Sequence, residues 1–346
     1  MRRLRTAAHC LAALSLAVSA CGTSADETSG SPGDSTDGKV VWYMDLTDAN
    51  PTIKAIAQGL NNRLKAAGIT LVRTFAVDNS TGSVDLGLQA QGFSRALASR
   101  PAAVAYFVVD PRSLKPQVTR AQRAGVPVFA IAGKPEGFTV NAYTGAGDFQ
   151  QGKLMAAHLA AHLPKGAKVA EITGAPTPNV QEEMRGVRAG LEAAGLTVVG
   201  DIEQQRNLRD SPAGGQKVME SILHRFPDVQ GVVAYNDSTA LGAIAAAKAA
   251  GRTPGKDILF TSRNGSAEAV AAVREGHLLA TCDTDPIALG AEVGDAIVAQ
   301  LGGKKTYKDN AELPPTDSSK CLVTKENVAG FVPWDQRVPY QPIKIG

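Results

Sequence analysis

Aromatic residues make up only 5% of this 346-residue chain, and cysteines and histidines number four and five. So sparse a set of aromatics cannot build a stacking platform for single-stranded nucleic acid. Lys304-Lys305 and the scattered arginines form no basic stripe, so no nucleic-acid partner is expected. His158 and His162 stand four apart on one helical face, but no HExxH surrounds them, and they read as a solvated or half-buried helix face. Neither Cys282 nor Cys321 belongs to a CxxC or a His/Cys cluster, so no metal is expected. The chain also lacks GxSxG, GxxxxGK[ST] and a complete GxGxxG; Gly145-Ala146-Gly147 reads as a turn entering a helix at Asp148. Acidic residues near predicted strand ends, Asp45, Asp110, Asp237 and Asp283, suit a ligand hydroxyl or a helix cap as well as proton transfer. The sequence therefore predicts neither an enzyme nor a cofactor. Its apolar run from Leu11 to Ala20 falls short of the roughly 20 residues a membrane span needs.

That run has a meaning of its own. Arg2, Arg3 and Arg5 precede it and Val18-Ser19-Ala20-Cys21 closes it, the pattern of a secretory signal peptide over residues 1–20. Val18-Ser19-Ala20-Cys21 resembles the lipobox of bacterial lipoproteins, which implies cleavage before Cys21 and lipidation of its thiol; an ordinary exported protein with a spare thiol is the alternative. The resemblance places the protein outside the bacterial cytoplasmic membrane, held there through its lipid alone. Residues 22–38, rich in Ser, Thr, Gly, Asp and Glu, complete a flexible tether over 21–38. The leader carries three arginines and no acid, so the formal charge of +3 belongs to it and the remainder is close to neutral. Removing Cys10 with the leader and acylating Cys21 leaves Cys282 and Cys321, an even pair that permits one bridge in an exported protein. Two buried free thiols are the alternative.

From Lys39 onward, short apolar runs alternate with helical patterns, often with Pro near the helix start and Gly past its end. Strands are predicted at 40–46, 69–75, 104–109, 127–131, 167–173, 196–200, 229–235, 257–261 and 279–282, with helices at 51–67, 114–124, 180–194, 211–225, 238–250, 267–274 and 287–301. Residues 104–109 are apolar at consecutive positions, as in parallel strands covered on both faces. The fold class is α/β with parallel sheets, and the number of units, with 44% hydrophobic residues to fill a core, points to two similar lobes.

Several spaced motifs then agree with one family. Asn50-Pro51 follows the first strand, Ala124-Gly125-Val126-Pro127-Val128 precedes the fourth, and Arg185-Gly186 sits early in the helix after Thr173. The stretch from Phe226-Pro227-Asp228 through Asn236-Asp237 to Gly242-Ala243 is the most specific, and Gly276–Thr281, Pro286, Gly290 and Thr324–Val328 follow in order. Over residues 39 to about 330 the chain resembles the periplasmic sugar-binding proteins of ABC transporters, of the ribose type. The resemblance implies the type I periplasmic-binding-protein fold, with two lobes joined by three hinge crossings. One lobe would be 39–146 plus 285–318, the other 147–284 plus 319–346. It also puts Cys282 and Cys321 in the second lobe near the hinge, in reach of a disulfide. A helix-turn-helix, which regulators of this fold carry ahead of the first lobe, is replaced by the leader and tether.

Ligand positions carried over from the family fall on Asn50, Gln181, Asn236, Asn264 and Thr284. An amide offers an acceptor and two donors at fixed spacing, which suits vicinal hydroxyls; helix capping is the alternative for Asn50 and Asn236. The family's Asp-Arg pair becomes Ala132-Gly133, and its aromatic clamps fall at Thr52, Ile53 and near Asp210. The resulting site is expected to be neutral and amide-rich, with Trp42, Tyr43, Tyr143, Phe149 and Tyr235 as candidate apolar walls. The expected partners are a small neutral hydroxylated ligand, a membrane permease and its ATPase, with the protein acting as a monomer. A nucleoside or other small-metabolite receptor, a ligand sensor for a membrane kinase, and an exported hydrolase are the rival readings.

Overall fold

The computed structural model describes residues 38–78, 83–145, 147–314, 320–338 and 340–346. The leader, the expected lipidation at Cys21 and nearly all of the tether lie outside the described residues. The first stretch comprises β1 (Val40–Asp45), α1 (Pro51–Ala66), β2 (Thr70–Phe75), β3 (Val77–Asp78), β4 (Ser83–Val84), α2 (Leu86–Ala98), β5 (Ala103–Phe107), α3 (Lys115–Arg123), β6 (Val128–Ile131) and β7 (Ala142–Tyr143). The second comprises α4 (Asp148–Ala160), β8 (Lys168–Ile172), α5 (Pro178–Ala193), β9 (Thr197–Val199), α6 (Pro212–Arg225), β10 (Gly231–Ala234), α7 (Asp237–Ala249), β11 (Leu259–Asn264), α8 (Ala267–Glu275) and β12 (Ala280–Asp283). The chain closes with α9 (Pro286–Leu301), β13 (Ala311–Glu312), β14 (Leu322–Thr324), α10 (Trp334–Arg337) and β15 (Lys344–Ile345).

Two lobes result, each built on one sheet. The first sheet has the order β13-β7-β6-β5-β1-β2-β15 with every pair parallel, and the second has the order β14-β12-β11-β10-β8-β9. In the second, β14 runs antiparallel to β12. Helices cover both faces, and the two-residue alternation of a strand divides its side chains between them. Thus Val41 and Tyr43 of β1 pack into the same core as α1 and α9, while Met44 packs with Phe93 of α2 and Val118 of α3. Val232 and Ala234 of β10 likewise face α6 and α7, and Val233 faces α4 and α5.

The chain passes between the two sheets after β7, after β12 and between β13 and β14. It then crosses a fourth time, from α10 to β15. Lys344 and Ile345 pair with Val72 and Arg73 of β2, and the Gln341 amide N–H donates to the Gln58 side chain on α1 at 2.9 Å. The closing residues, placed by the sequence in the second lobe with the rest of 319–346, thus belong to the first sheet. A two-residue strand carries no periodicity from which this pairing could be read.

The second crossing is tied down. Asp285 adopts φ +41° and caps α9, accepting from the Ala288 amide at 3.1 Å. Arg337 of α10 bridges Asp283 at 2.6 Å and Asp285 at 3.0 Å. Cys282 and Cys321 form a disulfide with their Cα atoms 4.7 Å apart, joining β12 to the residue before β14.

Candidate functional site

Strand ends from both sheets meet at one cleft. Residues after β1 and β6 and at the end of β5 face residues after β8, β10 and β12 and at the end of β11, and the cavity between them is about 220 Å³. Carboxyl-terminal strand ends form the binding crevice of open α/β sheets. The volume lies below the roughly 300–1,000 Å³ of drug-sized sites, which fits a ligand of monosaccharide size.

At its centre is Asp210, in the loop before α6, with φ +49°. The left-handed conformation is one that Asp tolerates better than most residues. It aims the carboxylate across the cleft, where Asn50 Nδ2 and Asn236 Nδ2 donate to it and the Tyr235 hydroxyl donates at 2.6 Å. Both asparagines also cap helices. Asn50 Oδ1 accepts from the Thr52 amide at 2.8 Å, and Asn236 Oδ1 accepts from the Thr239 amide at 2.9 Å. Capping and cleft lining, weighed as alternatives in the sequence, are therefore done by the same amides. Burial, together with the Asp210 charge, pushes the Tyr235 hydroxyl well above its ordinary value.

A second polar cluster closes the base of the cleft. Arg263, at the end of β11 and 6% exposed, donates to Asp148 at 2.6 Å and to Gln151 Oε1 at 3.3 Å. Its other terminal nitrogen lies 3.1 Å from Glu183, which is fully buried on α5. One guanidinium thus faces two carboxylates. Burial raises Asp148 above the usual range despite Arg263. It pushes Glu183 up to about 8, with Arg263 opposing and Asp148 and Asp237 adding to the rise. Asp237, pushed up to about 6 by burial, accepts from Ser262 at 2.5 Å, Thr281 at 2.7 Å and the Ser266 amide at 2.8 Å, tying three strand ends together behind the cleft. Asp45 is pushed to about 6 by burial against the pull of Arg73, which binds it at 2.6 Å. Among the described residues, no cluster of His, Cys, Asp or Glu has a geometry that would hold a metal.

Of the five positions predicted to hold ligand, Asn50, Asn236, Asn264 and Thr284 line the cleft. Gln181 does not: it is exposed on α5, while Asn179 and Val180 line the cavity instead. The buried face of α5 runs through Val180, Glu183, Met184 and Val187, and position 181 is rotated away from it. The expected neutral lining is also overturned, because Asp148, Arg209, Asp210 and Arg263 all line the cavity. Arg263 and Asp148 gave no local signal, since they lie 115 residues apart and only the fold pairs them. Of the aromatic walls foreseen, Tyr235 is in place. Tyr43 and Tyr143 belong to the first lobe's cores, and Trp42 and Phe149 do not line the cavity; Phe107, unforeseen, does.

Residues 44–305 match the family model of the periplasmic binding protein domain. The chain belongs to that family. It is similar to the ribose import binding protein of Bacillus subtilis, at 30% identity over 75% of this chain and 80% of the relative. It is also similar to the D-apiose import binding protein of Paraburkholderia graminis, at 28% identity over 80% of this chain and 85% of the relative. Among solved structures, the arabinose-transporter binding protein of Shewanella, bound to α- and β-L-arabinofuranose, superposes with a TM-score of 0.73. That match has 22% identity and covers 84% of this chain and 93% of the other, a likeness of fold. The Asp210 hub and the Arg263 cluster both line the cleft where residues of the two sheets meet.

Proposed function

We propose that this chain is the solute-binding protein of an ABC importer, capturing a sugar or sugar-like polyol between its lobes and delivering it unchanged. The observation that carries the reading is the cleft itself, with a carboxylate, amides and a phenol converging on one point. Such groups exchange their mutual hydrogen bonds for those of vicinal hydroxyls. The lobes are 39–146 plus 285–318 and 147–284 plus 319–343, and they close over the ligand by a hinge motion. The partners are a membrane permease and its ATPase. Lipidated Cys21 holds a monomer on the outer face of the cytoplasmic membrane. Ribose, apiose and arabinofuranose, the ligands in the relatives' names, make pentoses and their furanose forms the first candidates.

A thermal-shift screen over pentoses, hexoses, polyols and nucleosides tests the reading, because a ligand of the native state raises Tm by mass action. A sugar or polyol should shift Tm, and deleting the gene should abolish uptake of that compound. A shift with nucleosides alone would replace the sugar by a nucleoside. Undiminished uptake in the deletion strain would move the role from import to sensing.

A further inference from the structure

The two halves of the cleft are chemically unlike. All four charged side chains that line it, Asp148, Arg209, Asp210 and Arg263, come from the second lobe. The first lobe contributes an aliphatic wall of Leu46, Ile53, Ile56, Val77, Val84 and Leu289. Leu46, Val77, Val84 and Leu289 are half-buried, so their apolar surface remains accessible. Val77 and Val84 are direct cross-strand partners in the β3–β4 ribbon, which sets two branched side chains together at the cleft.

Among the described residues, three polar side chains, Thr47, Asn50 and Thr52, line that side. Asn50 bonds Thr52 and Asp210, and the Thr47 hydroxyl accepts from the Ala49 amide at 3.1 Å. Thr52 adds a hydroxyl at the entrance of α1. On the opposite side, Arg263 Nε and Asn179 Oδ1 are buried without a hydrogen-bond partner in the protein. A buried donor and a buried acceptor left in this way call for a ligand that supplies the complement.

We propose that the ligand has an apolar edge: a deoxy or methyl-substituted sugar, its hydroxyls turned to the second lobe and its methyl-bearing edge against the first. This rests on the sugar-binding reading and narrows it. A hydroxyl pressed on Val77, Val84 and Leu289 loses its water, and these aliphatic side chains offer it no hydrogen bond. A methyl group there is buried with gain, and a single such group in an apolar pocket changes affinity by roughly 10–200-fold.

Calorimetry on the mature protein with matched pairs tests it: D-fucose against D-galactose, L-rhamnose against L-mannose, 5-deoxy-D-ribose against D-ribose. The expected result is a deoxy member binding at least about tenfold tighter than its parent. The double change Val77→Thr with Val84→Thr, nearly equal in volume, should erase that preference, and Leu289→Gln should do the same by an independent route. Parents binding as tightly as their deoxy partners in every pair would overturn the apolar edge while leaving sugar binding intact. A preference that survives in both variants would overturn the role of this wall. Absence of binding by any sugar, with a nucleoside binding instead, would remove the underlying reading as well.

Discussion

Asp210 gathers three donors from two lobes, and that concentration makes it the residue whose loss should be felt most. Asp210→Ala leaves two side-chain amides and a phenol without their acceptor, at a cost of roughly 1–3 kcal/mol for an unsatisfied buried group. Ligand affinity measured by calorimetry should fall tenfold or more, whereas Asp210→Asn, which keeps one acceptor, should lose less. Equal affinity in wild type and Asp210→Ala would remove the hub from ligand binding. Glu183 makes a different prediction, on pH. Its carboxyl rises from 4.5 to about 8 through burial, so the folded protein holds this proton more tightly than the unfolded chain does. The stability it contributes is complete below about pH 4.5 and is lost as pH climbs through about 8. Glu183→Gln should therefore flatten the fall in unfolding free energy between these limits, read from urea titrations; parallel curves for the two proteins would refute the assignment. Neither residue was legible as functional. Asp210 stood near where the family pattern has an aromatic ring, and Glu183 meets Arg263 of β11 only through the fold. Asn50 and Asn236 were singled out by the family resemblance, with capping as the alternative, and both are found as helix caps that line the cleft.

At the scale of elements, the packing of helix pairs decides how firmly the cleft walls are held. Gly290 of α9 lies against α1 so closely that a Cβ there would sit 1.9 Å from the Ile56 carbonyl oxygen. Gly152 of α4 meets the Glu183 carbonyl oxygen of α5 in the same way, at 2.1 Å. The first contact sets Leu289 beside Ile56, and the second sets Asp148 near Glu183. Gly290→Ala must push the helices apart and should cost about 1–3 kcal/mol, seen as a Tm lowered by several degrees. Gly330→Ala, with nothing within 4 Å of the new atom, should leave Tm unchanged. An unchanged Tm for Gly290→Ala would mean the pair has slack. Most long strands and helices of the two lobes were readable from hydrophobic periodicity and Pro/Gly punctuation. Helix α2 was missed although Asp85 caps it at both the Gly87 and Leu88 amides, a signal present in the sequence. The ribbon β3–β4 and the strands β13 and β15 have two residues each, too few to show any period.

Across the whole molecule, the disulfide links strands that flank two crossings. Cys282 and Cys321 are 39 positions apart, and the segment between them includes α9 and β13, which belong to the first sheet's lobe, so the bridge closes a loop that leaves one lobe and returns. A loop of this length should contribute roughly 2–4 kcal/mol, and unfolding in denaturant should shift to lower concentration after reduction. Intact mass should rise by about two units on reduction. Free thiols in the unfolded, unreduced protein would disprove the bridge.

The returning tail has one more consequence. Gly38 donates to Gly68 just ahead of β2, and Gly346 donates to Arg73 within β2, so both ends of the described chain are tied to the first lobe. Fluorophores attached at Gly38 and Gly346 would ride together on the first lobe and stay blind to ligand capture. An optical reporter for this protein needs one of its dyes in the other half, for instance on exposed Lys256 near the start of β11.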